Sequence, residues 1–233
     1  MKDRKKAILS AIIDEHVAGG RTVASKSLVD KIDFQLSPAT IRNEMASLER
    51  EGLIYQPHTS AGRIPTEKGW QYYIENFLND EELVDEQKEI IEQTFNNTDK
   101  NLDSAVKEVA KCLAEISQDA VFVGFGENNV YYTGLSNLFK QPEFKNIDLV
   151  FHMSEIVDHL DDVIAELFND VTDAARVLVG TENPFGNECS TIFGAYQIKG
   201  KEPGLFGILG PMRMDYKNNL ALVNYTKKLF SNT

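Results

Sequence analysis

Long apolar runs are missing from this 233-residue chain. No uninterrupted stretch approaches the roughly 18 residues that a membrane-spanning helix needs. Cysteine is equally scarce: Cys112 and Cys189 lie far apart, without paired-thiol or metal-ligand spacing, and read as free thiols of a reducing compartment. The basic start (Lys2, Arg4, Lys5, Lys6) leads into Asp14 and Glu15 instead of a signal-peptide core, so the expected location is cytoplasmic. Phosphate loops are lacking too. Gly124-Phe125-Gly126 and Gly207-Ile208-Leu209-Gly210 have no downstream glycine at the required spacing and read as turn glycines. His152 and His159 are seven residues apart on one expected helix, too far for a metal pair on adjacent turns. Asp119, Glu127, Glu143 and Asp148 show no partner arrangement that would make any of them an acid or base. These absences argue against an enzyme, and no cofactor or metal is expected.

What is present is an ordinary soluble composition, 42% hydrophobic and 26% charged, with a net charge of −12. The charge is unevenly spread. Residues 1–75 hold eleven Lys or Arg against ten Asp or Glu, whereas residues 76–233 hold thirteen against twenty-six. A nucleic-acid-binding head therefore remains admissible, because affinity depends on where cations sit and not on the whole-chain sum.

Within the head, apolar residues over 5–17 recur at helical spacing and end at Gly19-Gly20. Ser25 is placed to cap a brief second helix with Leu28, Val29 and Ile32 inward, followed by a turn at Asp33, Phe34 and Gln35. The next segment is the most informative. Ser37 at the N-cap and Pro38 at the first helical position specify a start, and Ile41, Met45 and Leu48 form one buried stripe. Ala39, Asn43, Ser47 and Arg50 then point outward, with Thr40 and Arg42 on the shoulders. Three short helices with a tight turn before the third make a helix-turn-helix whose last helix can enter the major groove. Asn can pair bidentately with adenine and Arg with guanine, or Arg can hold a phosphate. For any single side chain, an ordinary solvated helix face is the competing reading.

Leu53-Ile54-Tyr55 reads as a short strand, and residues 58–66 as a polar loop carrying one exposed arginine, Arg63. An aromatic helix over 67–78 follows, with Trp70 in the core. Strand, basic loop and return segment after a recognition helix describe a wing. The expected DNA-binding set is Ser37, Thr40, Arg42, Asn43, Ser47, His58, Thr59, Ser60 and Arg63, with Lys5, Lys6, Arg21 and Lys26 on phosphates. His58 serves equally well as a structural hydrogen-bonding group of the loop.

Beyond an acidic helical linker over 79–100, helices are expected over 103–116, 156–168 and 219–230. Strands are expected over 120–123, 130–132, 176–180, 189–198 and 204–209. Arg213 is expected against Asp215, fixing the last helix, in preference to the alternative that this turn faces a partner subunit. The pattern is an α+β domain with helices on one side of an antiparallel sheet.

Residues 36–49, the run from Gln56 to Gly69 and the Tyr72-Tyr73 pair resemble the heat-inducible transcription repressor HrcA family. Residues 132–139 with 141–144, Gly180-Thr181-Glu182-Asn183-Pro184 and residues 207–216 agree with it. The resemblance implies a winged helix-turn-helix over 1–78 and a GAF-like domain over 101–233 for dimerisation or regulation. It also implies a homodimeric repressor of chaperone and chaperonin genes at an inverted-repeat operator, with the chaperonin as a partner. Only residues 122–131 stand where the family has a long central stretch, so the GAF-like domain is expected to be shortened. Two rival readings stand beside this one: a small-ligand-responsive winged-helix regulator, and a winged-helix module that binds protein.

Overall fold

Apolar side chains at helical spacing build the first element of the computed structural model, α1 (Asp3–Gly19), which buries Ile8, Leu9, Ile12 and Ile13 completely. The structure describes residues 3–32, 36–79, 82–98, 101–126, 129–172 and 174–232. The chain divides into two units, Met1–Leu78 and Asn79–Thr233.

In the first unit, Gly20 ends α1 with φ +59° and donates its N–H to the His16 carbonyl at 2.8 Å. Residues 25–32 do not form the expected second α-helix. They make successive turns, in which the N–H groups of Ser27 and Lys31 donate to carbonyls three residues back at 3.1 and 3.2 Å. A segment this short gains little from helix propagation, and its position follows from packing: Leu28 and Ile32 are buried. Ser25 is buried rather than set as an exposed cap. The expected turn at Asp33, Phe34 and Gln35 lies outside the described residues.

α2 (Pro38–Arg50) begins as its sequence requires. The Ser37 hydroxyl accepts from the Thr40 N–H at 3.1 Å, and Ile41, Met45 and Leu48 are buried. At its end Gly52 takes φ +74°, Leu53 N–H donates to the Leu48 carbonyl and Gly52 N–H to that of Glu49, both at 3.0 Å. This Schellman closure turns the chain directly into β1 (Ile54–Tyr55), which pairs antiparallel with β2 (Ile64–Pro65). Thr66 caps α3 (Glu67–Phe77) by accepting from Gly69 N–H at 3.0 Å, and its own hydroxyl donates to the Gly52 carbonyl at 2.6 Å. Trp70 and Tyr73 of α3 are buried, which places Trp70 in the core.

The second unit opens with α4 (Asp85–Asn97) and α5 (Leu102–Ser117), then β3 (Ala120–Gly124) and β4 (Val130–Thr133). Next come α6 (Leu135–Lys140), a 3-10 turn (Pro142–Lys145), α7 (Ile147–Asp158) and α8 (Leu160–Asn169). The strands β5 (Arg176–Val179), β6 (Cys189–Tyr196) and β7 (Gly204–Pro211) precede α9 (Tyr216–Ser231). The five strands form one antiparallel sheet in the order β4-β3-β7-β6-β5. Placing β7 next to β3 puts the distant hairpin in the sheet's middle, with Phe122, Gly207 and Phe193 in register across three strands. A Cβ at Gly207 would collide with both phenylalanine side chains, so only glycine fits between them.

Helices cover both faces of this sheet, not one. Phe122, Phe193, Leu205 and Leu209 pack with Leu138, Met153, Ile164 and Leu167 of α6, α7 and α8. On the opposite face Tyr196 and Phe206 meet Phe230 of α9, with ring centroids 5.1 and 5.6 Å apart, and Phe95 of α4 joins them at 5.6 Å. α4 is consequently not a linker: its Ile91 and Phe95 are buried within the second unit, and only its outer face is acidic. The single helix expected over 156–168 is two helices meeting at His159, whose backbone (φ −121°, ψ 30°) interrupts the ladder. Exposed apolar residues of α7 such as Ile147 and Phe151, at 60% and 64%, blurred the apolar period of that helix.

Candidate nucleic-acid interface

The N-terminal half of α2 presents Arg42 and Asn43 to solvent, with Thr40 half-buried beside them. Ser37 is exposed but engaged, its oxygen 3.0 Å from Thr40 Oγ1 as well as accepting the cap bond. Opposite this face stands the β1–β2 loop. Gln56 shapes it from within, its Nε2 donating to the Thr59 and Ala61 carbonyls at 2.9 and 2.8 Å, while Ala61 N–H donates to the His58 carbonyl at 2.8 Å. His58, Thr59 and Ser60 are therefore held at an exposed tip. A groove of about 270 Å³ separates loop and helix, lined by Arg42, Met45, Gln56, Thr59, Ser60 and Arg63 among others.

Arg63 is not at that tip. Its backbone pairs with Val23 in an antiparallel bridge, both N–H···O distances being 2.8 Å, and a Cβ at neighbouring Gly62 would collide with the Val23 carbonyl. The guanidinium then returns to α2, donating through Nη2 and Nε to Glu49 Oε2 at 3.0 and 3.3 Å. Arg63 is thus a half-buried wall of the groove and not a free loop-end cation. Lys5 is likewise committed inside the head: its ammonium donates to Glu51 at 2.5 Å and to Ser47 Oγ at 3.0 Å. Ser47 accordingly serves the seam between α1 and α2 and not the outward face. Lys6 is half-buried, while Arg21, Lys26 and Arg50 are exposed. Arg4 pairs with Glu44 in the same manner.

The sequence reading missed the carboxylates Glu44, Glu49 and Glu51, which hold these cations, and the loop-shaping Gln56. The acids have a legible signal, since the basic start of α1 must pack beside the acidic end of α2. Gln56 has none.

In the second unit, Asp119 and Glu143 have structural partners. Asp119 is buried after Gln118, which caps α5 at φ 58°, and Asp119 Oδ2 accepts from Asn219 Nδ2 at 2.8 Å. Burial pushes its carboxyl up to about 7, opposed by that hydrogen bond and by Arg213. Arg213 does not pair with Asp215 as expected. It grips Glu143 through Nε and Nη2 at 2.5 and 3.2 Å and Gln141 at 2.8 Å, while Asp215 caps α9 by accepting from Asn218 N–H at 3.1 Å. Cys112 and Cys189 are buried free thiols, and burial pushes Cys189 up to about 12, far from a reactive thiolate. Glu127 lies outside the described residues.

A family model described as the HrcA protein C terminal domain matches residues 70–219. The chain belongs to the HrcA family. Proteins named heat-inducible transcription repressor HrcA align with nearly all of it. That of Desulfitobacterium hafniense is 25% identical, covering 97% of this chain and 95% of its own length. That of Carboxydothermus hydrogenoformans is 26% identical, covering 98% and 97%. These alignments run over 329 and 331 positions against 233 residues here, so the HrcA relatives carry internal residues that this chain lacks. A crystal structure of a hypothetical protein at 2.2 Å resolution shares the fold, with TM-score 0.74 and 19% identity over 100% of this chain and 98% of that one. The HrcA family is one of transcription repressors and not of enzymes. Among the described residues no helix is long and apolar enough to cross a membrane.

Proposed function

We propose that this HrcA-family chain represses transcription by binding duplex DNA sequence-specifically through a winged helix-turn-helix formed by residues 1–78. One observation carries the proposal: capped α2 shows Arg42 and Asn43 to solvent across an open groove from the exposed tip His58-Thr59-Ser60. In this reading α2 lies in the major groove, with Asn43 and Arg42 on base edges. The β1–β2 loop is the wing, its hydroxyls and Arg63 on the phosphate backbone, and Arg21 and Lys26 add phosphate contacts.

The α+β unit is then a shortened GAF-like domain that joins two copies. A twofold pair of heads demands an inverted-repeat operator, with half-site centres roughly 34–36 Å apart or a multiple of that. The relatives' printed name, heat-inducible transcription repressor, supports heat-regulated genes as targets; a chaperonin as controlling partner follows from the family resemblance alone. The ligand-sensing alternative would use a cleft such as that of about 210 Å³ at the sheet's end, near Phe125 and Tyr196.

The test is selection from a random duplex pool by the purified full chain, with light scattering on the free protein and on its complex. Enrichment of an inverted repeat bound by two copies is the expected result. Recovery of unrelated sequences, bound no better than scrambled DNA at moderate salt, would remove the proposal.

A further inference from the structure

Two carboxylates of α2 and the Glu51 that follows it each hold a cation from elsewhere in the head: Glu44 holds Arg4, Glu51 holds Lys5 and Glu49 holds Arg63. In the last pair Arg63 lines the groove between α2 and the β1–β2 loop, and Glu49 holds it from behind that lining. Both donated bonds from Arg63 end on a single oxygen, Glu49 Oε2, so two of the five guanidinium hydrogens are used and three remain for a second anion. The side chains are 21% and 35% exposed, close enough to solvent for a phosphate to reach the guanidinium without dismantling the pair.

We propose that Glu49 is an electrostatic brake on DNA affinity. It fixes the Arg63 guanidinium at the groove wall and offsets its charge toward an approaching phosphodiester. The proposal rests on the duplex-binding reading above. A phosphate drawn to Arg63 must share that cation with a carboxylate already in place, and the two anions repel. Because phosphates carry no sequence information, the brake lowers affinity for every duplex alike and leaves discrimination to the base-facing Arg42 and Asn43. The cost to stability of releasing it is small, since a half-exposed ion pair contributes little to folding.

The experiment compares wild type with Glu49→Gln, Arg63→Gln and the double variant on the selected duplex and on a scrambled one, across a range of salt concentrations. Glutamine keeps the size and an acceptor oxygen for Arg63 and removes only the charge. Glu49→Gln is expected to bind both duplexes about 3–10-fold tighter at moderate salt. The slope of log K against log salt should steepen by about 0.9, the mark of one further phosphate neutralised. Arg63→Gln should weaken binding to both duplexes, and adding Glu49→Gln to it should gain less than the same change gains in wild type, because only the carboxylate's direct repulsion of phosphate is then relieved and no guanidinium is released. Unchanged or weaker binding by Glu49→Gln would overturn the brake, as would an equal gain in the Arg63→Gln background or a gain on one duplex only. Wild type that binds neither duplex would overturn the DNA reading and the brake together, whereas wild type that binds with no response to Glu49→Gln overturns the brake alone.

Discussion

In the head, acids and bases are matched partner by partner across its elements, as Glu44 with Arg4, Glu49 with Arg63 and Glu51 with Lys5 illustrate. Beyond residue 75 acids outnumber bases two to one, and one carboxylate, Asp119, is buried with an amide as its hydrogen-bond donor. The head thus spends several of its cations on its own geometry, and among its described residues Arg42, Arg21, Lys26 and Arg50 are exposed outside those pairs. The second unit relies instead on an aromatic and aliphatic core on both faces of its sheet. An overall charge of −12 therefore says little about the surface that would meet DNA.

That contrast can be broken most forcefully in the second unit's core. Phe193 is 1% exposed and packs in register with Phe122 across Gly207, so Phe193→Ala should cost about 3–5 kcal/mol, seen as an earlier thermal transition by circular dichroism. A loss under about 1 kcal/mol would mean that apolar filling does not carry this unit.

An effect of similar size at most is expected from its buried acid. The carboxyl of Asp119 is raised from 3.8 to about 7 by burial, with Asp215 adding to the rise and Asn219 and Arg213 opposing it. The folded state therefore holds the proton over a range where the unfolded chain has lost it. Stability should fall as pH rises from about 4 to about 7 and level off above, by a total on the order of 4 kcal/mol. In Asp119→Asn that slope should vanish, and the new amide can donate to the Asn219 oxygen, which has no partner in the wild type. Denaturant titrations at several pH values decide it, and an unchanged slope in the variant would assign the dependence to another group.

The smallest effect belongs to the head, where local chemistry and not bulk burial sets the geometry. Ser37→Ala removes the acceptor for Thr40 N–H and should cost about 1 kcal/mol. Trp70 is the chain's single tryptophan and lies in the head's core, so its fluorescence follows that unit's unfolding. A variant as stable as wild type would show that packing alone holds the start of α2.

Those experiments act on features of unequal legibility. Ser37-Pro38 and the stripe Ile41, Met45, Leu48 announced α2, because caps and helical periodicity are local signals. The five strands were legible as apolar runs between Gly, Pro and Asn turns, but their order was not, since pairing β7 with β3 joins residues some eighty positions apart. Helices on both sheet faces were missed because α6 and α7 are short or expose apolar residues, hiding their period. At the candidate site, Arg42 and Asn43 follow from helix geometry alone. The roles of Arg63, Lys5 and Ser47 do not, for each is decided by a partner on another element: Glu49, Glu51 or Lys5 itself.

The central claim is that the surface shared by α2 and the β1–β2 loop binds duplex DNA. Its most direct measurement is the affinity of the full chain and of the Arg42→Ala, Asn43→Ala, Arg63→Ala triple variant for the selected inverted repeat, with the fold of each checked by circular dichroism. Wild type should bind it about a thousandfold or more tighter than scrambled DNA, and the folded triple variant should lose that preference. A folded triple variant that binds the inverted repeat as wild type does would contradict the account and turn attention to the head as a protein-binding module.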